Sequence, residues 1–167
     1  MGPGARRRGE HRHHAAVPRL EGLDVAEVWD SESILRLEEL PESLVVLGGG
    51  YVGCEFASMF AIFGSRVTLL QGGDQVLPRE DPDVAEEVAE LLRGQGVDVR
   101  LSCRAERVRR EPSGEVVVTL SDGSEERGAQ LLCATGRTPV TDGLGLEATG
   151  RTSFWTRSST SGSRVLW

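Results

Sequence analysis

The sequence predicts an α/β fold: a small parallel sheet with helices on both sides and an antiparallel β-excursion between its last strands. Three observations carry this. Residues 43–70 read as strand, glycine-rich turn, helix, strand. Residues 81–101 repeat the order with a second helix and a third strand, completing β-α-β-α-β. Residues 104–127 then switch to short strands separated by Pro112-Ser113-Gly114 and Asp122-Gly123, the pattern of an antiparallel excursion.

Leu44-Val45-Val46-Leu47 is a short continuous apolar run, as expected of a strand buried on both faces of a parallel sheet. Gly48, Gly50 and Gly53 follow as G-x-G-x-x-G. Gly48 permits the tight turn, Gly50 lets backbone approach a pyrophosphate, and Gly53 lets the helix pack closely on the strand. The helix is expected over Tyr51 to Phe63, with Gly64 as its stop. The N–H groups at its start, on Tyr51, Val52 and Gly53, would hold the phosphates. A lone glycine motif also fits a turn in some other α/β protein, but this one follows a strand and opens a helix, which is the context the chemistry requires. Arg66 to Leu70 is the next strand. An acidic residue is expected at its end to hold ribose hydroxyls. That place holds Gln71, which brings no charge to repel a 2′-phosphate. The fingerprint therefore points to a dinucleotide more firmly than to NAD.

Asp81-Pro82-Asp83 starts the second helix with an N-cap acid, a proline at the first helical position and negative charge in the first turn. Val84, Val88, Leu91 and Leu92 are expected to form its buried stripe, and Gly94 and Gly96 to stop it. Residues 97–101 are the third strand, and residues 129–134 a last apolar strand returning to the parallel sheet. Upstream, Asp30 to Ser33 are expected to cap a short helix through Ile34, Leu35 and Leu37.

The net charge of −7 conceals a partition. Residues 1–20 carry five arginines against one glutamate, and residues 151–167 carry three arginines and no acid. The body between them has a net charge of −14. The tails lack hydrophobic periodicity and read as solvated, disordered ends, in preference to a nucleic-acid arm or a metal-binding His11-to-His14 tract. The acidic body argues against nucleic acid as a partner. No apolar run approaches the ~20 residues of a membrane span. Cys54, Cys103 and Cys133 have neither C-x-x-C nor zinc spacing, so no metal site is expected, and unpaired thiols suit a reducing cytoplasm.

From Val17 to Gly150 the sequence resembles the FAD-dependent pyridine nucleotide-disulfide oxidoreductases, the group of lipoamide dehydrogenase, glutathione reductase and mercuric reductase. Four stretches carry the resemblance in the right order. They are Pro18 to Leu23, Pro41 to Leu44 with Gly48 to Ala57, Leu77-Pro78-Arg79-Glu80-Asp81, and Ala134-Thr135-Gly136-Arg137-Thr138-Pro139.

The resemblance implies a Rossmann-like, doubly wound NAD(P)H-binding domain. In an intact relative, hydride passes from NAD(P)H to FAD and on to a disulfide or metal ion. The implied division is a basic tail over 1–17, a crossover lead-in over 18–41, the NAD(P)-binding domain over 42–137, a partial return to an FAD domain over 138–150, and a second tail over 151–167. Glu55 matches the glutamate that lies where nicotinamide meets flavin; its plain alternative is a first-turn acid favoured by the helix dipole. Arg79 follows the cofactor loop, where NADPH-using relatives grip the 2′-phosphate. Gly136 belongs to the return crossover towards FAD. No residue is assigned as catalytic: the family's cysteine pair, its first glycine fingerprint for FAD and its dimer domain have no counterpart here. The chain is thus read as a truncated or frame-shifted piece of a homodimeric flavoenzyme, inactive alone. The alternative is a nucleotide-binding module with no redox role.

Overall fold

The computed structural model describes residues 13–15, 20–22 and 28–139. The chain divides into two units, Met1–His14 with Arg137–Trp167, and Ala15–Gly136. Strands β1 (His13–Ala15) and β9 (Arg137–Pro139) pair as a two-stranded sheet. The sequence reading expects a disordered tail over 1–17, and β1 covers three residues within it. Its partner lies more than a hundred residues away, and composition carries no trace of so distant a pairing. The rest of both expected tails, and the return segment beyond Pro139, fall outside the described residues.

The second unit is built on β2 (Ser43–Leu47), in which all five residues are buried. It pairs in parallel with β3 (Arg66–Leu70) on one side and β8 (Gln130–Cys133) on the other. The short β4 (Asp98–Arg100) extends the sheet beyond β3, giving the order β4-β3-β2-β8. Helix α1 (Tyr51–Phe63) links β2 to β3, and α2 (Pro82–Gly94) links β3 to β4. The expected bounds of α1 and β3 hold. Gly64 ends α1 in the left-handed region at φ +106°, its N–H bonded to the Ala61 carbonyl. No other residue takes that conformation without strain.

The α/β, Rossmann-like architecture holds, but both helices cover one face. Leu44 and Val46 of β2 pack into a core with Ala57, Phe60, Ala89 and Leu92 from the two helices. Val45 and Leu47 face the other way, into a core with Val108, Val116, Val118 and Leu120. Those come from an antiparallel sheet of β5 (Ala105–Arg110), β6 (Val116–Leu120) and β7 (Glu125–Gly128). The reason is the hand of the connections. Two right-handed crossovers stepping the same way from β2 place both helices on the same side. The excursion that returns the chain to β8 covers the other. Arg100 of β4 ties the two sheets through an ion pair with Glu126 of β7, at 2.5 Å.

Three local expectations are corrected. The buried stripe of α2 is Ala85, Ala89 and Leu92. Val84 and Leu91 are 46% and 55% exposed, and Val88 is half-buried. The small alanines face the core, where a Val or Leu stripe would stand the helix further off the sheet. Asp81 occupies the N-cap position without a side-chain cap bond. Instead, Asp83 accepts the Val84 N–H at 3.0 Å. The short upstream helix is a single 3-10 turn, Ile34–Arg36. Asp30 organises it by accepting the N–H groups of Glu32 and Ser33 and the Ser33 hydroxyl. These bonds hold its carboxyl below the usual carboxylate range, the backbone bond from Ser33 contributing most.

Candidate functional site

In a parallel sheet, ligands bind beyond the carboxyl ends of the strands, where the chain order reverses. Here the order reverses between β2 and β8, and the loops that follow these strands meet. Gly48 turns at φ +103°, and its N–H is bonded to the Leu70 carbonyl at 2.8 Å. A Cβ on Gly48 would lie 2.7 Å from the Ala134 carbonyl oxygen. Gly53 is tighter: its Cβ would lie 1.8 Å from the Gly48 carbonyl oxygen. Gly50 is the opposite case. Its backbone is extended (φ −77°, ψ −177°), which any residue adopts, and nothing lies within 4 Å of its would-be Cβ. Gly48 and Gly53 are thus required by the fold, whereas the space in front of Gly50 is open.

Gly49, which the sequence reading passed over, is the hub of the loop. Its N–H donates to Gln71 Oε1 at 3.0 Å. Its carbonyl accepts the Leu77 N–H at 2.7 Å and the Cys54 thiol at 3.5 Å. Leu77 is buried with φ +46°, a left-handed conformation that costs a leucine about 1–2 kcal/mol. Burial and the bond to Gly49 hold it there. Nothing in the letter sequence signals this, because leucine is an uncommon choice for the left-handed region.

The loop after Leu77 closes on the start of α1. The Glu80 N–H donates to the Leu77 carbonyl, and the Glu80 carboxylate accepts the Tyr51 hydroxyl. That bond, more than burial or charge, pushes the Tyr51 phenol up, while the nearby Arg79 charge pulls it down. Arg79 is exposed and makes no hydrogen bond or ion pair among the described residues.

Gly48, Gly50, Tyr51, Gly53 and Gln71 are therefore gathered around one loop, with Val52 half-buried in the first turn of α1. Arg79 stands by Tyr51. Gly136, at φ +151° and exposed, lies two residues past the Ala134 that abuts Gly48. Glu55 is set apart. The first turn of α1 holds no acid, so the first-turn reading of Glu55 is corrected: it lies in the second turn. It lines an open groove of about 490 Å³ between α1 and α2, with Met59, Ile62, Phe63 and Leu91.

The three cysteines are free. Burial pushes the Cys54 thiol up to about 11, with the Glu55 carboxylate adding to it, and pushes Cys133 up to about 12. Both are neutral, poor nucleophiles at pH 7. Among the described residues no cluster of His, Cys, Asp and Glu is placed to hold a metal ion, and no helix is long and apolar enough to cross a membrane.

Residues 9–158 match the family described as pyridine nucleotide-disulphide oxidoreductase. The chain belongs to this family. Among curated relatives, the pyridine nucleotide-disulphide oxidoreductase chain is 44% identical over 135 residues to the probable pyridine nucleotide-disulfide oxidoreductase RclA of Escherichia coli. That match covers 80% of this chain and 30% of the relative. It is 41% identical to a mercuric reductase of Streptomyces lividans, covering 80% of this chain and 28% of that one. A dihydrolipoyl dehydrogenase of Bacillus subtilis is 39% identical, with 74% and 27% covered. The solved structure of RclA, an HOCl-induced flavoprotein disulfide reductase from E. coli, matches with a TM-score of 0.76 at 42% identity, covering 86% of this chain and 33% of that one. The chain thus spans about 30% of the length of the curated relatives it matches.

Proposed function

We propose that this chain is the NAD(P)H-binding domain of a flavin-dependent disulfide or metal-ion reductase. The observation that supports it is the open space before Gly50, at the start of a helix with no acid in its first turn. An α-helix leaves the N–H groups of its first turn without intrahelical partners, and its dipole favours an anion there. A pyrophosphate fits that description. In this reading Gly50 admits the phosphates, the N–H groups of Tyr51, Val52 and Gly53 donate to them, and the Arg79 charge adds attraction. Gly48 and Gly53 hold the loop in shape, and the Ala134–Gly136 segment forms the far wall. Bound dinucleotide supplies hydride chemistry, which the reductases of this family pass through FAD. The described residues offer FAD no comparable cradle, and no cysteine here is poised as a redox thiol, so the chain by itself binds without turning over. The unpaired thiols suit a reducing cytoplasm, and in this reading the whole enzyme is a homodimer.

The test is calorimetric titration of the full chain with NADH and NADPH, beside Gly50→Val. Valine has room at this position, so the fold should persist. Affinity for both dinucleotides should fall at least tenfold, about 1.4 kcal/mol. Equal binding by both proteins overturns the assignment.

A further inference from the structure

We infer that Gln71 makes this site indifferent to the 2′-phosphate, so that it takes phosphorylated and unphosphorylated nicotinamide dinucleotides alike. This rests on the dinucleotide reading above and deepens it.

Gln71 directly follows the last residue of β3, the place from which a side chain reaches the adenosine ribose. Its amide is not free to rotate. The Gly49 N–H can meet only an acceptor, so Oε1 faces the loop at 3.0 Å and Nε2 must face away. The rest of the side chain is wedged against the loop: a Cβ on Gly49 would touch Gln71 Cβ at 3.1 Å. Nε2 lies towards exposed Gly73, 3.1 Å from its would-be Cβ, and makes no hydrogen bond among the described residues. The outward group is therefore a neutral donor.

A carboxylate in this place would act differently. One oxygen would accept the Gly49 N–H. The other would stand outward as a charged acceptor, welcoming a ribose hydroxyl and repelling a phosphate. A neutral donor meets the oxygen of a hydroxyl or of a phosphate. It therefore removes the repulsion without adding a cation's attraction.

The surrounding charges do not restore a preference. Arg100, whose carbonyl accepts the Gln71 N–H, has its guanidinium committed to Asp98 at 3.0 Å and Glu126 at 2.5 Å. Arg79 is exposed and makes no ion pair among the described residues, and its charge is assigned to the pyrophosphate that both dinucleotides share. Asp74, exposed three residues on, is the acid in the glycine loop beyond Gln71 and has no fixed partner among the described residues.

The experiment is calorimetry of the full chain with NADH and NADPH, then of Gln71→Glu, with circular dichroism to follow folding. The wild-type dissociation constants should agree within about fivefold. Gln71→Glu should keep NADH binding and weaken NADPH at least tenfold, a split that loss of a merely structural clasp would not produce. A wild-type preference above tenfold, or a variant with an unchanged ratio, overturns the inference and leaves the dinucleotide site standing. Binding of neither dinucleotide by the wild type overturns the site and the inference together. The wild-type ratio decides the matter even where the variant does not fold.

Discussion

Helices α1 and α2 have the same length, thirteen residues, and lie on the same face of the sheet, but they are finished differently. Helix α2 closes its own positive end: Pro82 stands where an N–H would have no partner, and Asp83 supplies negative charge in the first turn. Helix α1 starts from Gly50 with no side-chain cap and no acid in its first turn. Their surfaces differ in the same sense. Helix α2 is amphipathic, with Glu86, Glu87 and Glu90 outside and Ala85, Ala89 and Leu92 inside. Helix α1 has one charged residue, Glu55, and leaves Ile62 and Phe63 exposed. One helix closes its own start; the other leaves the N–H groups of its first turn without a side-chain cap.

The contrast can be broken most directly at Gly53. Gly53→Val should cost about 4 kcal/mol in denaturant unfolding, because the added atoms meet the backbone carbonyl of Gly48. A stable Gly53→Val would show that α1 does not need close contact with the turn. Next in size is Leu92→Ala, expected to cost about 3 kcal/mol, against less than about 0.5 for Leu91→Ala. Equal losses would restore the stripe expected from hydrophobic spacing. A smaller effect than that of Leu92→Ala belongs to Asp83→Ala, about 0.5 kcal/mol and reduced by salt. It should leave dinucleotide affinity unchanged, since that charge serves the helix with the self-contained start.

Much of this was legible in the letters where one local rule decides. A run of apolar residues made β2, glycine spacing made the turn, Gly64 ended α1, and Pro82 opened α2. The stripe of α2 was misread because spacing alone favours the larger Val84 and Leu91, whereas close packing on the sheet selects Ala85 and Ala89. The side on which each layer falls depends on crossover hand, a property of the whole path. At the site, the motif glycines could be named, but Gly49 could not. Its role depends on Gln71 and Leu77, more than twenty residues away, and on a left-handed leucine that no propensity favours. The β1–β9 pairing was hidden for the same reason of distance.

The placement of β2 in the sheet has a consequence for the order of assembly. Its pairing with β3 closes a short loop, but its other edge waits for β8: Ser43 Oγ accepts the N–H of Ala129, 86 positions along the chain. Pairings of such separation form late, because loop closure must precede the contacts that reward it. During synthesis, then, β2 emerges as a mostly apolar strand with the N–H and C=O groups of one edge unpaired. Gly48 meets the Ala134 carbonyl only after the antiparallel excursion has been made and folded. The glycine turn is encoded early in the chain and finished nearly last.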